Sequence, residues 1–233
     1  MSSPTYVLVH GAWHGAWVWN ALTQEFNQRG IEWVTVDLPS SHDDVRGSAD
    51  LQRDADAVVS RTPAGAVTLV GHSYGGAVIT EAAARLTNVS SMVYVAAIIP
   101  SIGQSATDVS RLVSARTDLD DAMSVDGAWL RLDPERAINA LYGECPTDVA
   151  TSAVKQLRRQ TIASLRAKRM SPDRLVARRY IRCTRDRAIS LELQTLMAET
   201  CDSVLDMASD HSPFLSHPVE CADAIVGSRE LAN

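Results

Sequence analysis

"AVTLVGHSYGGAVIT", residues 66–80, is the stretch whose reading decides the fold. An apolar run rich in β-branched residues ends in Gly-His-Ser-Tyr-Gly-Gly and passes at once into small residues at helical spacing. That order predicts a strand, an abrupt turn and a helix. A tight turn alone would account for the glycines. The strand-turn-helix setting adds a second reading, in which the backbone tightens at Ser73 and lifts its Oγ above the end of the strand as a nucleophile. Gly71 and Gly75 then avoid side-chain clashes beside the strained serine, and Gly76 and Ala77 let the helix sit close. Tyr74 would offer its backbone N–H at the helix N-terminus, where free donors and the helix dipole favour a developing oxyanion.

Segments on both sides repeat the strand–helix rhythm. "TYVLVHG" (5–11), "EWVTVDLP" (32–39) and "SMVYVAAIIP" (91–100) read as short buried strands. Trp17 to Arg29, Ser48 to Ser60 and Gly75 to Leu86 carry helical spacing between them. Continuous apolar strands alternating with helices predict an α/β fold with a mostly parallel sheet of about six strands covered on both faces. After Pro100 the rhythm stops: residues 101–176 show helical patterns and polar turns without a convincing strand. It resumes with "RRYIRCT" (178–184) as a strand, Ser190 to Cys201 as a helix, "SVLDMA" (203–208) as a strand, and a helix from Pro218 to Leu231. The simplest organisation is one core domain, 1–100 and 177–233, interrupted by a helical cap insertion, 101–176.

The whole-chain properties restrict function by exclusion. The 233 residues carry 22 basic and 28 acidic side chains, a net charge of −6, which favours neither nucleic acid nor an anionic membrane as partner. No apolar run approaches the roughly 20 residues of a membrane span, and no secretory signal is read at Met1-Ser2-Ser3-Pro4. Cys145, Cys183, Cys201 and Cys221 are widely spaced with no CxxC pair, which suits reduced thiols in a cytoplasmic protein and gives no metal site. Residues 155–187 concentrate 12 of the 22 basic side chains against Asp173 and Asp186 alone. This run reads as a solvated face balancing an acidic main domain, or as a site for an anionic substrate or an acidic partner docking beside the insertion. Only Tyr180 interleaves with it, so a stacking surface for nucleic acid is not indicated.

A serine hydroxyl needs an oriented base. In this architecture the chain order is nucleophile, acid, histidine. Of six histidines, only His211 and His217 follow the last strand. His211, in "ASDHSPFLSHP", falls on a loop at the C-terminal sheet edge, whereas His217 precedes Pro218 and suits a cap. Asp186, in "CTRDRAIS", follows the penultimate strand and is the only carboxylate from Arg174 to Leu191; its bland alternative is a surface pair with Arg185 or Arg187. Asp202, Asp206 and Asp210 lie too near the last strand. A second oxyanion donor is expected after the first strand, where "HGAWHGAW" (10–17) makes Ala12 N–H the candidate. Gly11, Trp13 and, from the insertion, Trp129 are candidate pocket residues. Met123, Leu130, Leu132 and Leu141 could line an apolar lid or simply form core.

With "LVHGAWHGAWVW", "VTVDLPSS", "LVGHSYGGAVI", "YIRCTRDRAIS" and "DHSPFLSHP" in order, the chain resembles the α/β-hydrolase superfamily over nearly its whole length. It is most similar to small serine esterases of the plant methylesterase and hydroxynitrile lyase group and their bacterial relatives. The resemblance implies Ser73, Asp186 and His211 as a catalytic triad, Ala12 and Tyr74 as oxyanion donors, and a cap over the pocket after Pro100. The lyases of that group have Thr where this chain has Gly11, Glu where it has His72, and Lys where it has Ser212. The related dehalogenases use an aspartate nucleophile in place of Ser73. These departures leave hydrolysis of a small-molecule carboxylic ester through an acyl-enzyme as the expected activity, without metal or organic cofactor, in a monomer or homodimer. A lactonase, a secondary-metabolism hydrolase or lyase using the same triad, and a ligand-binding pseudoenzyme remain the alternatives.

Overall fold

Six strands lie side by side and parallel in the computed structural model, which describes residues 3–42 and 46–227. The strands of the chain are β1 (Thr5–Val9), β2 (Trp33–Val36), β3 (Val67–His72), β4 (Val89–Val95), β5 (Met123–Asp126), β6 (Trp129–Leu132), β7 (Gln160–Thr161), β8 (Ala177–Cys183) and β9 (Ser203–Met207). The helices are α1 (Asn20–Gln28), α2 (Leu51–Arg61), α3 (Gly75–Ala83), α4 (Ala106–Ser110), α5 (Asp118–Ala122), α6 (Pro134–Leu141), α7 (Thr147–Lys155), α8 (Ile162–Arg166), α9 (Leu191–Ala198), α10 (Pro213–Ser216) and α11 (Pro218–Val226). The main sheet runs β2-β1-β3-β4-β8-β9. The chain starts at β1, steps outward to β2 and returns to the other side at β3. That reversal opens a crevice beyond the carboxyl ends of β1 and β3, where ligands of open α/β sheets bind. The expected final helix is present to Val226; its expected continuation to Leu231 lies outside the described residues.

The inner strands alternate their side chains between two apolar layers, because successive residues of a strand face opposite ways. Val7, Val9, Leu69 and Met92 join Leu51, Ala55, Val58, Val78, Ala82, Leu193 and Met197, from α2, α3 and α9, on one face. Tyr6, Leu8, Val70, Val93 and Ile181 join Leu22, Phe26, Cys221 and Ile225, from α1 and α11, on the other. The burial of all six residues of β3 explains its continuous apolar run.

Residues 101–176 connect β4 to β8, which are neighbours in the sheet. The segment is not purely helical. β5, β6 and β7 form a small antiparallel sheet of their own. The hairpin closes through Gly127 at φ 61° and Ala128, with Asp126 opposite Trp129. The Asp-Gly dipeptide between short apolar runs is a strong hairpin signal, but four-residue strands are too brief to declare themselves by alternation.

The helix α3 packs unusually close to the sheet. A Cβ on Gly71 would stand 2.7 Å from the Gly75 carbonyl oxygen, one on Gly75 2.5 Å from that of Val9, and one on Gly76 2.7 Å from the Ala97 Cβ. Backbone cannot yield as a side-chain tip can. Gly71→Ala is therefore expected to cost about 2–3 kcal/mol, read as a lower urea midpoint at unchanged m-value.

Candidate active site

Ser73 sits in the turn between β3 and α3 with φ 52°, a left-handed conformation that a non-glycine residue adopts only when its surroundings enforce it. Its N–H donates to Val95 O at 3.1 Å, and its carbonyl accepts from Gly76 N–H and Ile98 N–H, both at 3.0 Å. The side chain lines a cavity of about 680 Å³ together with Ala12, Trp13 and Tyr74. Neither Ala12 N–H nor Tyr74 N–H meets an acceptor among the described residues. The Tyr74 side chain points elsewhere, donating its hydroxyl to Asp54 at 2.8 Å.

Asp186 and His211 meet: the His211 Nδ1–H donates to Asp186 Oδ2 at 2.7 Å, with both side chains shut off from solvent. The Asp186 carboxylate is fixed on every side. Its Oδ1 accepts from Ala188 N–H at 2.7 Å and Ile189 N–H at 2.9 Å, and its Oδ2 also accepts from Gln194 Nε2 at 3.2 Å. The neighbouring arginines are engaged elsewhere, Arg185 with Glu144 and Arg187 with Asp118. His211 packs its ring on His72 with centroids 4.5 Å apart, and the His211 carbonyl accepts from His72 Nε2–H at 2.9 Å. No Ser73–His211 hydrogen bond forms among the described residues; catalytic bonds of this kind often tighten only around substrate. The other late candidates have their own work. His217 stands at the N-cap position of α11 with its ring on Ser216 Oγ and no side-chain capping bond among the described residues, Asp206 pairs with Arg182, and Asp210 braces its loop through Ser212 N–H and Ser216 Oγ.

Two expected pocket residues are placed differently. Gly11 does not line the cavity; a Cβ there would stand 2.9 Å from the Ser73 Cβ and 3.0 Å from His72 Nδ1. Trp129 is buried away from it, with the Arg159 guanidinium 4.0 Å over its ring. The apolar walls come instead from Trp13, Ile98, Leu119, Met123, Leu130 and Leu165. The basic run 155–187 is turned mostly to structural use: Arg158 pairs with Asp37, Arg169 with Asp173, and Arg174 and Arg179 bond backbone carbonyls. Of the basic residues in that run only Arg166 lines the cavity, which Arg111 and Arg116 of the preceding segment also line. Gln194 escaped the sequence reading. Its signal was a polar residue on the buried side of the apolar helix "LELQTLMA".

Three further histidines surround the site and each has one forced tautomer. His10 Nε2 accepts from Leu38 N–H at 3.0 Å, so its Nδ1 carries the proton and donates to Gly11 O at 2.8 Å. His14 Nδ1–H donates to Ala12 O and its Nε2 accepts from Tyr142 O–H, both at 2.7 Å. Burial pulls the His10 pKa down to about 4 and that of His14 to about 3, and it holds His72 well below the usual imidazole range. Burial also raises Asp54 to about 6 against the hydrogen bonds from Ser40 and Tyr74.

The sequence and the fold match known proteins. A family model described as "Alpha/beta hydrolase family" matches residues 6–224. Pheophorbidase of Raphanus sativus is 30% identical, with 91% of this chain and 89% of that protein covered. The pFDCC methylesterase MES16 of Arabidopsis thaliana is 29% identical over the same shares, 91% and 89%. The solved pyrethroid hydrolase of Sphingobium faniae JZ-2 superposes with a TM-score of 0.83 at 22% identity, covering 97% of this chain and 96% of that one, and shares the fold.

The histidine shifts set the acid stability. Between about 6.5 and about 4 the unfolded chain binds protons that native His10, His14 and His72 refuse. Stability is therefore lost as the pH falls through that window, by up to about 1.4 kcal/mol per pH unit for each ring, and is unaffected by these rings above it. Asp54 acts oppositely between 3.8 and about 6, where the native state holds its proton more firmly, and offsets one ring. The urea midpoint followed by tryptophan fluorescence is expected to drop through this range; a midpoint constant down to about pH 4 would contradict the neutral assignments.

Proposed function

Because the chain belongs to the alpha/beta hydrolase family, we propose that it is a serine hydrolase of carboxylic esters with Ser73, His211 and Asp186 as its triad. The observation that carries this reading is the buried 2.7 Å bond from His211 to Asp186 beside a serine held at φ 52°. Ser73 Oγ attacks the ester carbonyl while His211 Nε2 takes its proton, and Asp186 stabilises the imidazolium that results. Ala12 N–H and Tyr74 N–H receive the oxyanion. His211 then protonates the departing alcohol, and water resolves the acyl-enzyme by the same route. The naming of the relatives as pheophorbidase and methylesterase supports ester cleavage.

Cyanohydrin cleavage finds less support. A side chain at position 11 would collide with Ser73 and His72, so the threonine of the lyases has no room beside this histidine. We read residues 101–176 as the cap, since Leu119, Met123, Leu130 and Leu165 of this segment wall the cavity.

Substrate preference follows from the cavity. About 680 Å³ with apolar walls suits an ester carrying a bulky hydrocarbon or ring portion. Arg111 and Arg166 stand exposed at its lining, and neither makes an ion pair among the described residues. Arg116 is already paired with Asp121 at 2.5 Å. An ester bearing a remote carboxylate is the preferred class.

Two measurements test these readings. Intact mass after exposure to a fluorophosphonate is expected to show one adduct on wild type and none on Ser73→Ala, and Asp186→Asn is expected to lose about 10⁴ in kcat. An adduct on both proteins would sink the nucleophile assignment. A carboxylate-bearing ester is expected to exceed its neutral analogue about 3- to 10-fold in kcat/KM at low salt, an advantage erased by salt or by Arg111→Gln with Arg166→Gln. Equal kcat/KM at all salt concentrations would remove the anionic preference.

A further inference from the structure

The loop 10–14 carries the proposed oxyanion donor Ala12 N–H, and its most strained member is the residue that follows. Trp13 has φ 63°, a conformation that costs a bulky side chain about 1–2 kcal/mol. Nothing in its own strand–turn segment holds it there. Its N–H donates to Gln160 Oε1 at 3.1 Å, its carbonyl accepts from Arg158 N–H at 2.7 Å, and its indole N–H donates to Leu130 O at 3.2 Å. All three partners belong to the segment between β4 and β8. That segment also supplies Tyr142, whose hydroxyl holds the His14 ring that in turn grips Ala12 O.

Gln160 is the central anchor. It is fully buried and spends its entire hydrogen-bonding capacity: Oε1 accepts from Trp13 N–H and, at 2.6 Å, from Ser41 Oγ, while Nε2 donates to Ser40 Oγ at 2.8 Å and Ser164 Oγ at 2.7 Å. The amide orientation is forced, because a backbone N–H can only be met by the oxygen. Ser40 extends the network to Asp54 and so to the hydroxyl of Tyr74, the residue after Ser73. A peptide unit is planar, so fixing both its ends fixes its orientation. The unit joining Ala12 to Trp13 has its carbonyl on His14 and its N–H on Gln160. The unit joining Gly11 to Ala12 has its carbonyl on His10, which turns the Ala12 N–H the opposite way.

We propose that Gln160 is a positioning residue for catalysis: by clamping Trp13 N–H it holds the strained loop in the one conformation that aims Ala12 N–H at the oxyanion. The segment between β4 and β8 then contributes to the chemical step as well as to the pocket wall. This proposal rests on the esterase reading and on Ala12 as donor. It makes a demand that a merely structural glutamine would not meet, namely that its loss falls on kcat and leaves KM largely alone, since the donor acts on charge that develops in the transition state.

The test uses the full chain as wild type, Ser73→Ala, Gln160→Met and Gln160→Glu. A chromogenic ester supplies kcat and KM, and kcat is expressed per serine labelled to completion by a fluorophosphonate, so that unfolded protein does not count. Gln160→Met is expected to label to the wild-type extent but more slowly, and to lose about 10- to 100-fold in kcat with KM within about threefold. Gln160→Glu keeps an oxygen facing Trp13 N–H and is expected to regain most of that loss. Should Gln160→Met not fold, Gln160→Asn replaces it; one methylene shorter, it stays polar but cannot reach Trp13, and the same kcat loss is expected. Wild-type kcat per labelled serine in these variants, a loss carried by KM, or an equal loss in Gln160→Glu would each overturn the proposal while leaving the labelled Ser73 standing. Absence of label on wild type would instead remove the esterase reading and this inference with it.

Discussion

A serine backbone held at φ 52° is the constraint on which the rest of the structure depends. Left to itself, such a residue would relax at a gain of about 1–3 kcal/mol. It is kept in place because β3 enters the turn paired on both sides, by β1 and β4, and because α3 leaves it pressed against the sheet. The glycines at 71, 75 and 76 are what the pressing requires, since each meets backbone or a buried Cβ within 3 Å of where its own Cβ would be. The same sheet order that buries β3 leaves a crevice at its carboxyl end, so the strained residue and the opening arise from one topological fact.

Around that turn the protein spends buried histidines as neutral hydrogen-bonding struts. His10, His14 and His72 donate to the carbonyls of Gly11, Ala12 and His211. An imidazole suits this work only while uncharged, because the acceptor nitrogens of His10 and His14 face donors, Leu38 N–H and Tyr142 O–H. Protonation of His10 would set two donors against each other in a medium that screens poorly, and protonation of His14 would force the Tyr142 hydroxyl to turn and accept. The depressed pKa values of these rings and the shape of the loop are therefore two expressions of the same burial. The four-residue repetition "HGAWHGAW" acquires a physical meaning: two histidines four apart each fold back on a carbonyl of the loop they bracket.

Legibility in the sequence followed contact range. The inner strands β1, β3 and β4 were readable because their apolar runs are set by their own burial, and β8 and β9 because short β-rich runs resume the alternation with helices. Ser73, Asp186 and His211 were readable because each lies directly after a strand, where sheet topology collects loops at one edge. Trp129 misled because a tryptophan in an apolar segment looks the same whether it walls a cavity or stacks under an arginine. Gln160 and Tyr142 left little local trace, since their partners lie many residues away: Gln160 meets Trp13 across 147 positions, and Tyr142 meets His14 across 128. The basic run 155–187 was visible as composition, but pairing with Asp37, Asp173 and Asp206 is a property of the folded surface.

The placement of those anchors limits how the segment between β4 and β8 can move. A lid that swung open as a unit would have to release Trp13 at its N–H, carbonyl and indole together, and would strand the buried Gln160 amide from Trp13, Ser40 and Ser41 at once. Substrate is better admitted where the segment is not bolted down, across the exposed stretch 110–117, which lines the cavity and lies beside α4 and α8. Those two helices are joined by Thr107 Oγ1 donating to Leu165 O. The segment thus divides into a fixed part, around Leu130, Tyr142 and 158–160, that supports the loop, and an outer part that shapes the pocket. Substitutions in the outer part reshape the cavity without disturbing the loop 10–14, whereas the fixed part has no such freedom.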